Sequence, residues 1–180
     1  IDRPFNPINF ALGANATFVA RTIDTHVKHM AEILKAAAAH DGTSFVEIYQ
    51  NCLIFNDGCF DDVVDRKIRD DMTVDLKPGE PLIYGKELDK GMRFNGWGLE
   101  RCTADEAATW DSTVESTAPA VMMGELANEA DMPRPIGIFR QVEAPAFEVE
   151  TERQITTAKE VKGDGQLKDL IYQGNTWEVE

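Results

Sequence analysis

The stretch from Thr17 to Gln50, TFVARTIDTHVKHMAEILKAAAAHDGTSFVEIYQ, decides the fold of this chain. Short apolar segments at 17–20 and 44–50 predict two strands. Between them lies the clearest helix in the sequence, which Asp24 or Thr25 is placed to cap. Its apolar positions at helical spacing are Val27, Met30, Ala31, Leu34, Ala37 and Ala38. Strand, helix and strand in close succession form a βαβ unit, so we expect two parallel strands joined by a right-handed crossover.

Outside this unit the signals are local. Pro7 to Leu12 predicts a short helix that ends at Gly13. A mixed charge run at 61–71 predicts a solvated helix, and Asn95-Gly96 predicts a turn. Residues 132–180 are rich in Pro, Glu and Thr with few apolar clusters. We therefore expect this last part to be an extended tail that wraps over a neighbour.

The charge balance limits the classes of partner. The chain has 18 Lys and Arg residues against 32 Asp and Glu residues, which gives a formal net charge of −14. Such a surface repels phosphate backbones and anionic membranes, so we expect neither as a partner. No apolar run reaches the roughly 18 residues that a membrane helix requires. Three cysteines, an odd number in a chain of ordinary size, favour a reducing, cytoplasmic compartment.

Two patterns that suggest metal chemistry are weak. Gly163-Asp164-Gly165 has the form of the Mg²⁺ turn of thiamine diphosphate enzymes, but no apolar strand precedes it and Asn175 follows too soon. We interpret it as a flexible turn. His26 and His29 stand at i, i+3, a spacing that can chelate a metal, without a carboxylate or cysteine placed to complete the set. A solvated helix face is the better interpretation of this pair.

Cys52 is the residue whose position favours chemistry. It follows the second predicted parallel strand, where open α/β sheets place their ligand sites. Turn-forming polar residues surround it, and the apolar run 53–55 would supply a dry wall beside the thiolate. The competing interpretation is a small buried hydrophobe, which is the usual role of a single cysteine. A lone cysteine cannot hold a four-cysteine cluster by itself.

A family resemblance adds to this pattern. The run Phe45-Val46-Glu47-Ile48-Tyr49-Gln50-Asn51-Cys52, followed by Ile54-Phe55-Asn56-Asp57-Gly58, resembles the β subunit of 2-oxoacid:ferredoxin oxidoreductases, the 2-oxoglutarate type in particular. Further matching segments, in the same order as in that subunit, are 16–21, 81–86, 135–140 and 174–177. The resemblance spans nearly the whole chain.

This resemblance implies a fold and a chemistry. The fold is the second half of a thiamine diphosphate-binding α/β fold, a parallel sheet with helices on both faces, followed by the extended tail. Residues 1–58 would be the C-terminal part of the thiamine diphosphate-binding domain, 59–131 the C-terminal region of the subunit, and 132–180 the tail. The family decarboxylates a 2-oxoacid oxidatively to an acyl-CoA, with thiamine diphosphate, Mg²⁺ and a [4Fe–4S] cluster as cofactors and ferredoxin as electron acceptor.

The same resemblance makes Cys52 the expected fourth ligand of the cluster. The other three cysteines and the thiamine motif would lie in an N-terminal half that this sequence does not contain, so the segment alone would be inactive. Cys59 and Cys102 receive no role. The implied partners are the α or fused α/γ subunit and a second β subunit in a heterotetramer. The alternative function is a non-catalytic module that retains half of the fold for subunit association.

Overall fold

A computed structural model of the chain describes residues 5–129 and 131–179, except for the side chain of Asn128. The chain forms two compact units, one ending at Ala144 and one beginning at Pro145. In chain order the elements are α1 (Pro7–Gly13), β1 (Phe18–Ile23), α2 (Val27–Ala39), β2 (Ser44–Tyr49), α3 (Asp61–Val64), α4 (Arg69–Met72), β3 (Thr73–Leu76), β4 (Ile83–Tyr84), β5 (Lys90–Asn95), β6 (Gly98–Thr103), α5 (Ala118–Glu125), β7 (Arg134–Gln141), α6 (Phe147–Lys162) and α7 (Leu167–Ile171).

The predicted βαβ unit is confirmed. β1 and β2 pair in parallel, with Phe18 opposite Ser44 and Ile23 opposite Tyr49. Every residue of β1 is buried, since helices cover both faces of the sheet. The short helix before it is also confirmed, because Pro7 begins α1 and the Asn6 side chain caps it by accepting from the N–H of Asn9 at 3.1 Å.

The main sheet has the strand order β2-β1-β7-β3. β7 runs antiparallel to β1 and parallel to β3, so the sheet is mixed. On one face Val19 and Phe139 join the apolar side chains of α1 and α5, and on the other Phe18 and Ala20 pack against Ile33 of α2. The α/β class with helices on both faces is therefore confirmed, and its sheet combines parallel and antiparallel pairs.

A smaller antiparallel sheet of order β4-β5-β6 lies beside the main core. Asn95 pairs with Gly98, so β5 and β6 form a hairpin around Gly96 and Trp97, at the turn that Asn95-Gly96 predicts. Trp110 connects this region to the main sheet: it is 2% exposed and its Nε1–H donates to the Ile138 carbonyl at 2.8 Å.

The expectation of an extended tail from residue 132 is wrong. Residues 134–141 are β7, an inner strand of the main sheet with partners on both sides. Two prolines make this segment an unfavourable candidate for a strand when only the sequence is considered. Pro133 precedes β7, however, and Pro135 is accommodated within it. From Phe147 the second unit is helical, with 16 residues in α6.

The predicted apolar face of α2 is also wrong. Its buried residues are His29 and Ile33, whereas Val27 and Leu34 are 63% and 44% exposed. The helix is thus rotated by about one residue from the expected orientation, because the imidazole of His29 finds hydrogen-bond partners inside the protein. Neither Asp24 nor Thr25 caps α2, since the N-cap is His26 and no side chain bonds to the cap.

Candidate functional site

The candidate site is the loop that follows β2, from Asn51 to Gly58. The Asn51 side chain holds the loop at its base, since its Oδ1 accepts from the N–H of Gly58 at 2.9 Å and its Nδ2 donates to Asp57 at 2.8 Å. The N–H of Asn56 donates to the carbonyl of Cys52 at 3.0 Å and forms a small bridge within the loop. The loop is therefore closed by its own hydrogen bonds at the carboxyl end of a parallel strand.

Cys52 lies on this loop as an exposed free thiol. Backbone N–H groups of the loop, those of Phe55 and Ile54 foremost, lower the pKa of the thiol from its ordinary value, since they stabilise the thiolate. The thiolate is the form that binds metals. The interpretation of Cys52 as a buried hydrophobe is thus wrong.

The predicted dry wall is not formed within the described residues. Leu53, Ile54 and Phe55 are 77%, 86% and 89% exposed, so their side chains leave the sulfur open to solvent. Three consecutive apolar side chains at the tip of a closed loop are a local apolar surface of the kind that partner proteins cover.

A cavity of about 300 Å³ lies below the loop, at the carboxyl ends of β1 and β2. Its lining includes Arg21, Glu47, Tyr49, Phe60 and Arg134. Burial raises the pKa of the Tyr49 phenol, so this hydroxyl remains neutral near pH 7. None of these residues belongs to a recognisable sequence motif. The sequence nevertheless offers one clue, Arg21, because a charged residue within an otherwise apolar buried strand requires an ionic partner.

Cys59 and Cys102 are both half-buried, and among the residues that the structure describes neither joins a metal-binding group. Cys59 lines the cavity at the foot of the loop. Burial raises the pKa of the Cys102 thiol.

The histidines form a structural network. His29 is buried; its Nδ1 lies 2.8 Å from the Thr22 hydroxyl and its Nε2 lies 3.3 Å from Oδ1 of Asp75. The interpretation of a solvated face is therefore wrong for His29. The His26 ring stacks on it at 5.0 Å. Burial, followed by the nearby charges of Arg69 and His29, lowers the pKa of His26.

Gly163-Asp164-Gly165 follows the end of α6. Gly163 is the C-cap of that helix at φ +76°, and Lys159 lies 3.6 Å from Asp164. The turn ends a helix, where a glycine in the left-handed region is favoured. Across residues 5–129 and 131–179, no three His, Cys, Asp or Glu side chains converge as a metal-binding group. In the same residues no helix has the length and apolar character needed to cross a bilayer.

The fold and the loop together define an α/β domain with an exposed thiol at the carboxyl edge of its sheet. Comparisons with known proteins place this domain. No family model matches the chain. It is 33% identical over 187 residues to "2-oxoglutarate oxidoreductase subunit KorB" of Mycobacterium tuberculosis, an alignment that covers all of this chain and 50% of that protein. It is 44% identical over 52 residues to "2-oxoacid:ferredoxin oxidoreductase 1, subunit beta" of Aeropyrum pernix, covering 29% of this chain and 16% of that one.

A solved structure shares the fold. It is a 2-oxoglutarate:ferredoxin oxidoreductase from Magnetococcus marinus, with 2-oxoglutarate, coenzyme A and succinyl-CoA bound. The TM-score is 0.55 at 20% sequence identity, over 94% of this chain and 44% of that chain. The chain is thus a relative of the β subunits of 2-oxoacid:ferredoxin oxidoreductases, which confirms the resemblance indicated by its motifs. It spans about half the length of the M. tuberculosis relative.

Proposed function

We propose that this chain is the C-terminal half of the β subunit of a 2-oxoacid:ferredoxin oxidoreductase, in which Cys52 is one ligand of a [4Fe–4S] cluster. The observation that carries the proposal is the Cys52 thiol, which is exposed on a hydrogen-bonded loop directly after a parallel strand. The alignment with a β subunit over the whole chain supports it.

The residues present fit one cluster ligand. The thiolate of Cys52 is stabilised before any metal binds, and N–H groups directed at a ligand sulfur are among the features that tune cluster potentials. One-electron transfer is the chemistry that such a cluster supplies when bound. Since no three His, Cys, Asp or Glu side chains of the described residues converge as a metal-binding group, we assign the other three ligands to residues outside them.

The described residues do not fit the Mg²⁺–thiamine diphosphate group in the same way. They bring no set of carboxylates together, and Gly163-Asp164-Gly165 caps a helix. We therefore assign thiamine diphosphate binding to the other half of the subunit. This chain would contribute the sheet edge and the cluster loop.

The proposed overall reaction is the oxidative decarboxylation of a 2-oxoacid, 2-oxoglutarate above others, with coenzyme A. It yields an acyl-CoA and CO₂, and the electrons pass singly to ferredoxin in the cytoplasm. The choice of 2-oxoglutarate rests on the names of the M. tuberculosis relative and of the M. marinus structure.

The second unit supports a multi-subunit assembly. Among residues 145–179, no residue of α6 or α7 is buried. The large apolar residues exposed there are Phe147, Val149, Ile155, Val161, Leu167, Leu170, Ile171, Tyr172, Trp177 and Val179. We propose that they pack on an α or fused α/γ subunit and on a second β subunit of a heterotetramer. The same exposure favours the alternative, a non-catalytic association module, which would need this surface but not Cys52.

Substitution of Cys52 in the complete, co-expressed enzyme separates the two functions. We expect Cys52→Ser to lower the iron content and abolish 2-oxoacid-dependent ferredoxin reduction, while thermal unfolding is unchanged because the side chain is exposed. Cys102→Ser is the matched control and should retain iron and activity. Full iron content and activity in Cys52→Ser would refute the ligand assignment. A gene that begins near Ile1 and lacks an upstream Cys-x-x-Cys region would favour the association module.

A further inference from the structure

Four side chains form a continuous row at the foot of the Cys52 loop. The rings of Tyr49 and Phe60 are stacked, with centroids 4.4 Å apart and planes inclined by 15°. The guanidinium carbon of Arg21 lies 4.9 Å from the centroid of Tyr49, and that of Arg134 lies 5.8 Å from the centroid of Phe60. We name these four residues the aromatic clamp.

The strand register explains one half of the clamp. Arg21 lies opposite Glu47 and Ile23 lies opposite Tyr49 in the parallel pair of β1 and β2. Alternate residues of a strand share a face, so Arg21 and Tyr49 emerge on the same side of the sheet. Arg21 is 1% exposed, and its charge is balanced by Glu47 at 2.6 Å. Its Nη1 also donates to the Pro135 carbonyl at 3.1 Å.

The other half joins the clamp to a different strand. Arg134 begins β7 and pairs with Asp62 of α3 at 3.0 Å. Because Asp62 stands two residues after Phe60, this ion pair and the contact of Arg134 with the Phe60 ring hold the same short segment. Both arginines of the clamp thus have a carboxylate partner, which the buried charge of Arg21 requires.

The clamp joins the two ends of the loop. Tyr49, the last residue of β2, stands two residues before Asn51, and Phe60 stands two residues after Gly58. Their stacking fixes the separation of the loop ends, and the hydrogen bonds of Asn51 close the loop above them. The position of Cys52 therefore depends on the shape of this loop.

We propose that the aromatic clamp is a positioning device for Cys52: by holding Tyr49 against Phe60 it keeps the loop from Asn51 to Gly58 in the conformation that presents the Cys52 thiol. That the clamp holds the loop is a property of this chain alone. Its consequence for a cluster rests on the proposed function. A ligand residue that packed neighbours hold in place is preorganised to bind its metal, so the clamp would favour cluster binding.

Hydrogen exchange in the chain tests the structural part. Phe60→Leu keeps an apolar side chain but removes the stacking, and Phe60→Tyr restores it. Since an aromatic pair contributes modestly beyond its buried area, we expect the amides of 52–58 to exchange roughly 2- to 10-fold faster in Phe60→Leu. The amides of β1 should be unchanged, and Phe60→Tyr should match the wild type. Unchanged loop exchange in Phe60→Leu, or equal acceleration in β1, would overturn the clamp. Tyr49→Leu with Tyr49→Phe is a second pair if Phe60→Leu does not fold.

The reduction potential of the complete enzyme tests the consequence. Loss of N–H groups directed at a ligand sulfur makes the reduced cluster less favourable. We therefore expect a more negative midpoint potential in Phe60→Leu and the wild-type potential in Phe60→Tyr. A loosened loop with an unchanged potential would refute positioning while the proposed function stands. Conversely, an enzyme whose iron content is unchanged by substitution of Cys52 would refute the proposed function. The hydrogen-exchange result would still test whether the clamp holds the loop.

Discussion

Gly137 in the inner strand β7 gives the sharpest test of the fold. Its φ is +93°, in the region that L side chains rarely adopt. A Cβ built at this position would lie 2.5 Å from Oδ1 of Asp75 and 2.7 Å and 2.8 Å from the backbone N and O of Leu76. These atoms belong to β3, which pairs with β7 at this point. Gly137→Ala therefore requires both a strained backbone and a shift of the neighbouring strand.

The expected loss of stability is large. A non-glycine residue in a sparsely populated region costs about 1–3 kcal/mol. Insertion of a methyl group into a filled space costs about 1–3 kcal/mol more. Displacement of Asp75 would also weaken its contact with the buried His29. We expect Gly137→Ala to lower the free energy of unfolding by roughly 2–6 kcal/mol, a large part of the 5–15 kcal/mol typical of a domain.

Chemical denaturation of the chain provides the assay, and Gly79 provides the control. Gly79 also has a positive φ, +79°, but a Cβ there meets nothing within 4 Å. Gly79→Ala should therefore show the backbone strain alone, about 1–2 kcal/mol. Equal losses for the two variants would refute the argument from close packing between β3 and β7.

Two further predictions concern titratable groups. Iodoacetamide near neutral pH should label Cys52 well before Cys102, because backbone N–H groups lower the pKa of the exposed Cys52 and burial raises the pKa of Cys102; peptide mapping by mass spectrometry checks this, and faster labelling of Cys102 would contradict it. His26 has a folded-state pKa below 6.5, chiefly because of burial and then Arg69, so the unfolded chain binds its proton more readily and stability should fall as the pH drops below 6.5. His26→Gln should lose less stability than the wild type between pH 7.5 and 5.5 in urea unfolding, and equal pH dependence would count against this assignment.

Sequence reasoning succeeded where the signal is local. The Asn6-Pro7 start of α1 and the strand, helix and strand of 17–50 are fixed by neighbouring residues. It failed for the face of α2, because burial of His29 depends on Thr22 and on Asp75, which lies 46 residues away. The helical spacing of apolar residues carries no information about such a distant partner.

The sequence also fails to predict the inner strand β7, for the same reason. Its partners are β1, more than 100 residues earlier in the chain, and β3. A segment that contains prolines and lacks the alternation of polar and apolar residues typical of a strand is interpreted as a tail when its partner strands are unknown. The family resemblance includes residues 135–140 but does not predict that they lie in the centre of the sheet.

For the candidate site, the sequence alone determined that Cys52 follows a parallel strand on a polar turn, and which family those residues resemble. Both properties are encoded in a continuous run of residues. The tertiary structure alone decided that the sulfur is exposed, that backbone N–H groups of the loop lower the pKa of the thiol, and that Arg21, Tyr49, Phe60 and Arg134 form a clamp beneath it. The physical reason is that these contacts join residues distant in the sequence, so their geometry exists only after the sheet has assembled.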